Sequence, residues 1–251
     1  MPFAIPLESL TIKQVFLGRM ATMDMAYHLL PSNDHMEVST VFSETDASVL
    51  EGEVIHQLAG YRLKMTESWP ESKAAYQLRA KIYDSELSWS CANNGMEADV
   101  FDQYACSYVV VAPTDEVVAT FRILSWQDPW MATECYEGRF AREAKLFQTP
   151  LTQEISRLCI AQTHRDNKIL NGHSVLDLVL KGILNIGRRN GSRYSYFITR
   201  LAMKRALVRR GFVIPYSSSS NNMPDGCTIT SLLVDNYESD VEFKLADQDA
   251  H

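Results

Sequence analysis

The spacing of apolar residues changes character near residue 70. Before it, residues 7–30 carry apolar side chains at helical intervals, Pro31-Ser32-Asn33-Asp34 breaks the pattern, and residues 48–65 resume it. Residues 1–70 are therefore expected to form a mostly helical extension. Over 72–87, Ala75, Leu78, Ile82 and Tyr83 fall on one helical face. Residues 107–112 and 117–124 are rich in β-branched side chains, and the short Pro113-Thr114-Asp115-Glu116 link predicts an antiparallel hairpin. Residues 154–161 alternate as a third strand. A helix follows over 174–189, with Ser174 as its N-cap and Asn190-Gly191 as its stop. A strand over 194–199, a basic helix over 202–210 ended by Gly211, and a strand over 228–234 complete the pattern, with a flexible loop expected at 217–222. Hairpin, strand, helix, strand, helix, strand is the order of an α/β sandwich, a mixed sheet between helices, occupying residues 71–251.

Composition narrows the classes. No apolar run approaches the roughly 20 residues that span a bilayer, and the N-terminus lacks the basic start and apolar stretch of a signal peptide. No membrane insertion and a cytoplasmic location are expected. Five cysteines without a CxxC pair indicate neither a zinc site nor a disulfide framework, so no metal is expected. Neither a GxGxxG nor a GxxxxGK[ST] run is present, so no dinucleotide or P-loop site is expected. The net charge of −7 argues against a nucleic-acid partner. The charge is unevenly spread. Between Leu178 and Pro224 there is no Asp or Glu, but there are nine Lys and Arg residues, among them Arg188, Arg189, Lys204, Arg205, Arg209 and Arg210. This region is either a solvated helix surface or a docking patch for an acidic partner.

A second concentration of chemistry lies between Arg79 and Arg157, where Arg79, Asp99, Asp102, Arg122, Glu154 and Arg157 accompany Tyr83 and Trp89. Singly, each has a structural explanation: Arg79 can pair with a carboxylate on its helix, Trp89 can cover the core, and Glu154 with Arg157 can form an ion pair. Their spacing resembles that of the acyl-homoserine-lactone synthases, the bacterial autoinducer synthases, within the Gcn5-related N-acyltransferase-like fold. The family's Arg, aromatic and Trp run is matched by Arg79, Tyr83 and Trp89. Its acidic segment is matched by Glu97, Asp99, Phe101 and Asp102, and its Arg strand end by Arg122-Ile123-Leu124. Pro129-Trp130-Met131-Ala132, the aromatic Tyr136 and Glu154-Ile155-Ser156-Arg157-Leu158 complete the likeness. The sequence departs from the family at Tyr83 and Tyr136, where Phe is usual, and at Ser125, where Pro is usual. Thr163-His164-Arg165 also resembles the related N-acyl amino acid synthases.

The resemblance implies a three-layer acyl-CoA N-acyltransferase-like sandwich. It also implies a reaction in which an acyl thioester on an acyl carrier protein meets the amine of S-adenosylmethionine, followed by lactone closure and release of methylthioadenosine. S-adenosylmethionine would be substrate, with no tightly bound cofactor. An N-acyl amino acid synthase using a free amino acid is the alternative, and an idle binding relative a third possibility. Glu154 and Asp99 are the candidate proton acceptors. Backbone N–H groups near Ser156, Arg157 and Leu158 are candidates for the oxyanion. Arg79, Asp102, Arg122 and Arg157 are expected to form a network with one arginine free for the substrate carboxylate. Trp89, Tyr83 and Tyr136 would wall the pocket, and Trp89 would face the sulfonium. Direct attack by the amine needs no Ser or Cys nucleophile. Carrier docking is assigned to the six basic residues named above. Met131, Leu180, Ile183 and Met203 are candidates for an acyl tunnel.

Overall fold

A computed structural model describes residues 54–90, 92–218, 221–222 and 226–240; the helix expected over 7–30 lies outside them. The first described elements correct the helical reading of residues 48–65 from Val54 onward, residues 48–53 lying outside the described residues. Strands β1 (Val54–Leu58) and β2 (Tyr61–Met65) pair antiparallel around a two-residue turn in which Ala59 and Gly60 both have positive φ. Ile55 and Leu58 stand three apart and mimic a helix, whereas Tyr61, Leu63 and Met65 alternate as a strand does.

Helix α1 (Trp69–Arg79) starts after Ser68 with Pro70 in its first turn, and continues as a π-helix over Ala80–Glu86. The expected hairpin is β3 (Cys106–Val111) and β4 (Val117–Leu124). Two helices that were not expected follow, α2 (Met131–Glu134) and α3 (Gly138–Phe147), the latter burying only Phe140 and Ala144 among charged residues. Beyond β5 (Thr152–Ile160) come α4 (Gln162–Arg165), β6 (Lys168–Leu170) and β7 (His173–Ser174). Helix α5 (Val175–Arg189) opens with a reciprocal cap between Ser174 and Asp177. The chain closes with β8 (Tyr194–Arg200), α6 (Leu201–Arg209), β9 (Tyr216–Ser217), β10 (Asn221–Asn222) and β11 (Thr228–Asp235). The loop expected at 217–222 is corrected at its described ends. Ser217 and Asn221–Asn222 pair with β11, and buried Ser218 accepts the Ser231 N–H through its hydroxyl, so polar side chains here satisfy a sheet edge.

The sheet runs β1-β2-β3-β4-β5-β8-β11-β10, with β9 also on β11. Among the described pairings of this sheet only β5 with β8 is parallel. Alternation along the strands sets two faces. Leu63, Phe121, Ile155, Phe197 and Leu232 meet α5 residues Leu178, Val179 and Ile183 in one core. On the other face Leu124, Tyr196 and Leu233 pack with Trp130, Met131 and Ala144 of the α2–α3 region. Helix α5 comes close to the sheet at its glycines: a Cβ on Gly187 would lie 2.3 Å from Asn236 Nδ2 and 3.0 Å from Gln153 Nε2. No helix among the described residues is long and apolar enough to cross a membrane.

Candidate active site

Two irregularities in β5 create the site. The β4 ladder pairs Thr120 with Cys159 but Arg122 with Ser156, so β5 carries one extra residue between them. That bulge holds Arg157 at φ 53°, a left-handed conformation that non-glycine residues rarely adopt. On the other side the parallel ladder with β8 ends at Ile155 opposite Phe197, although β5 runs to Ile160 and β8 to Arg200. The two strands therefore part beyond their middle, with the bulge at the edge of the opening. Tyr83, on the π-helix, donates its hydroxyl to the Leu158 carbonyl at 2.8 Å and so ties the bulge to the helix above it.

The acids are aimed by their own backbone. Asp99 caps a 3-10 turn (Val100–Gln103) by accepting the Phe101 N–H at 2.9 Å, and Asp102 accepts the Asp99 N–H at 2.8 Å. The i, i+3 spacing thus fixes both carboxylates on one side. They meet three arginines in a closed ring. Arg79 bonds Glu97 through Nε at 2.6 Å and Asp102 through Nη1 at 2.6 Å. Arg122 contacts Asp99 and bonds Asp102 at 3.0 Å, while its Nε donates to Ser156 Oγ at 2.8 Å. Arg157 completes the ring with Glu97 and Asp99, each at 2.8 Å. Every guanidinium meets at least two carboxylates and every carboxylate at least two guanidiniums; Arg79 also lies 3.8 Å from Asp99, which therefore faces all three arginines. The expected arginine free for a substrate carboxylate is therefore absent from this set.

Asp99 and Glu154 have opposite electrostatics. Burial would raise the Asp99 carboxyl, but Arg157, Arg122 and Arg79 outweigh it and hold the group well below the usual carboxylate range. A carboxylate so stabilised is a poor proton acceptor, and Asp99 stands as a member of the ring. Glu154 lies outside the ring. It accepts the N–H groups of Met131 at 2.8 Å and Ala132 at 3.0 Å, at the start of α2. Burial pushes its carboxyl up to about 7 despite the nearby Arg122 and those two hydrogen bonds. Such a group exchanges a proton near neutrality.

The aromatic residues divide. Trp89 is tilted against Tyr83 at 6.4 Å, and the Arg157 guanidinium lies 5.4 Å from the Tyr83 ring. The Trp89 face expected to meet a sulfonium is met by the Arg200 guanidinium at 4.7 Å. Tyr136 lies edge-on to Phe140 at 6.0 Å, and burial pushes its hydroxyl up to about 12 despite the nearby Arg157. The tunnel candidates are not brought together: Met131 belongs to the α2–α3 core, and Leu180, Ile183 and Met203 to the α5 core. A cavity of about 400 Å³ instead lies between Phe147, Leu151, Thr152, Tyr194, Tyr216 and Leu233. Met131 has a different place, its sulfur 3.4 Å from Arg122 and 3.2 Å from Arg157. Glu97 was legible only as a motif position, yet it bridges Arg79 and Arg157; Arg200 lay in the basic stretch without a role.

The docking set also divides. Arg188 donates to the carbonyls of Asn236 and Ser239, Lys204 to Ser217, and Arg210 to Asp177, so these three hold the fold together. Arg189, Arg205 and Arg209 are exposed.

A mixed sheet between helices, with one parallel pair that opens beside a bulge, is the architecture of the acyl-CoA N-acyltransferase-like class. Within that class the chain belongs to the autoinducer synthase family, whose model matches residues 64–241, and it is an acyltransferase. The acyl-homoserine-lactone synthase of Aeromonas salmonicida is 24% identical over 155 residues, which cover 61% of this chain and 74% of that protein. The solved structure of BjaI, a CoA-dependent acyl-homoserine lactone synthase with SAM and isopentyl-CoA, has a TM-score of 0.54 at 19% identity, covering 66% of this chain and 77% of that one. FeeM, an N-acyl amino acid synthase from uncultured soil microbes, has a TM-score of 0.52 at 11% identity, covering 71% of this chain and 91% of that one. At these identities the two structures show the shared fold.

Proposed function

We propose that this chain is an acyl-homoserine-lactone synthase that acylates S-adenosylmethionine. The observation that carries the chemistry is Glu154, a buried carboxyl raised to about 7 on the face where β5 and β8 part. Amide formation needs a neutral amine, and Glu154, directly or through one water, takes the proton from the substrate ammonium. The amine then attacks the thioester carbonyl. Backbone N–H groups at the bulge are suited to the oxyanion, and loss of one such donor typically costs about 10² to 10³ in rate. Collapse expels the thiol and leaves the amide. The substrate carboxylate then attacks the carbon next to the sulfonium, closing the lactone and releasing methylthioadenosine.

The ring of three arginines and three carboxylates holds the bulge in its strained form rather than touching the reacting atoms. The apolar cavity by Thr152 and Tyr194, two residues from Glu154 and Tyr196, offers the acyl chain a place on the same sheet face. Exposed Arg189, Arg205 and Arg209 suit an acidic acyl carrier protein as donor, a preference set by long-range attraction.

Mass spectrometry of the purified chain with S-adenosylmethionine and a panel of acyl-carrier and acyl-CoA donors is expected to show acyl-lactone and methylthioadenosine in equal amounts. Silence with every donor would sink the reading. The likeness to FeeM keeps one competitor in the same assay: an N-acyl amino acid synthase would acylate a free amino acid and release no methylthioadenosine.

A further inference from the structure

We infer that Arg200 holds the α-carboxylate of the amino-acid substrate, an inference that rests on the reading above, in which the acyl acceptor is an amino acid. An α-carboxylate brought into a largely buried site needs a cation, because burying it unpaired costs several kcal/mol. Arg79, Arg122 and Arg157 are already bound, each to at least two carboxylates. Among the described residues Arg200 has no carboxylate within ion-pair distance, and its buried Nε has no hydrogen-bond partner. A guanidinium nitrogen withdrawn from water and unmatched by protein is a donor in want of an acceptor.

Its position fits the task. Tyr196, Ile198 and Arg200 alternate on β8, and Tyr196 pairs with Glu154, so Arg200 projects from the sheet face that carries Glu154 and Ser156. It stands at the last residue of β8, past the point where the β5 ladder ends. Four residues at about 3.3 Å each put it about 13 Å along the strand from Tyr196. Two or three contacts of about 3 Å each, one through water, plus an amino-acid head group match that span. Trp89 orients the guanidinium: the ring lies 4.7 Å from Arg200 on one contact and rests on Tyr83 on another, and Tyr83 is in turn anchored at the bulge. The clamp and the bulge are thus one packed chain of side chains, and the planar fork of Arg200 suits a carboxylate in two-point contact.

The test compares S-adenosylmethionine with its decarboxylated counterpart, by calorimetric binding to the full chain and by KM in acyl transfer. The wild-type chain is expected to prefer the carboxylate-bearing amine by about tenfold to a hundredfold, the range of one charge-assisted contact. In Arg200→Gln that preference disappears while affinity for the decarboxylated amine stays unchanged, and Arg200→Lys recovers part of it. Equal losses for both amines would mean that Arg200 only supports Trp89, and would overturn the inference, as would a wild-type chain that binds both amines alike. Failure of the underlying reading looks different: selective binding persists, but neither acyl-lactone nor methylthioadenosine forms.

Discussion

The hydroxyl of Tyr83 is the clearest place where one atom of this chain does structural work. Its bond to the Leu158 carbonyl fixes the bulge from above. Replacing Tyr83 by Phe keeps the ring that Arg157 and Trp89 lean on, but leaves that carbonyl without its donor. A neutral hydrogen bond of this kind contributes about 1 kcal/mol. Tyr83→Phe is therefore expected to lower the unfolding free energy from urea titration by that amount and to reduce kcat more than it changes KM, since the proposed oxyanion donors lie at the bulge. Unchanged stability and turnover would show that the hydroxyl is idle.

Element by element, most of the architecture was legible because local signals agreed with the fold. The β3–β4 hairpin, β5, the Ser174 cap of α5 and the strands β8 and β11 lie within one or two residues of their expected places. The elements that sequence patterns missed carry weak or misleading periodicity: β1 and β2 through the three-residue spacing of Ile55 and Leu58, and α3 through its few buried positions. In the site, the charged motif residues were legible from their spacing. Their closed pairing was not, since which acid meets which arginine is decided across α1, the 3-10 turn, β4 and β5. Docking of α5 gives a test at this scale. Gly187→Ala gains about 1 kcal/mol of helix propensity, but pushes on Asn236, which bonds the Ser192 carbonyl and Ser195 hydroxyl in the buried interior. Overpacking there is expected to cost about 1 to 3 kcal/mol, a net destabilisation read by denaturant unfolding; a stabilised variant would contradict this view of the α5 contact.

For the whole molecule, the sequence-wide excess of acid coexists with exposed Arg205 and Arg209 one helical turn apart on α6. Charge reversal of both to Glu is expected to raise KM for an acyl-carrier donor at least about tenfold at low salt, less at high salt, through a slower encounter. KM for an acyl-CoA donor should change little, and equal effects on both donors would remove the docking role. The central claim, that Glu154 takes the amine proton, has a direct test in the pH dependence of single-turnover acyl transfer. The working form is the carboxylate, and its pKa is raised to about 7 by burial. The rate for the wild-type chain should therefore climb with pH and level off above about 7, whereas Glu154→Gln should be slower by about 10² or more and lack that limb. The same limb at a similar rate in both proteins would contradict the account.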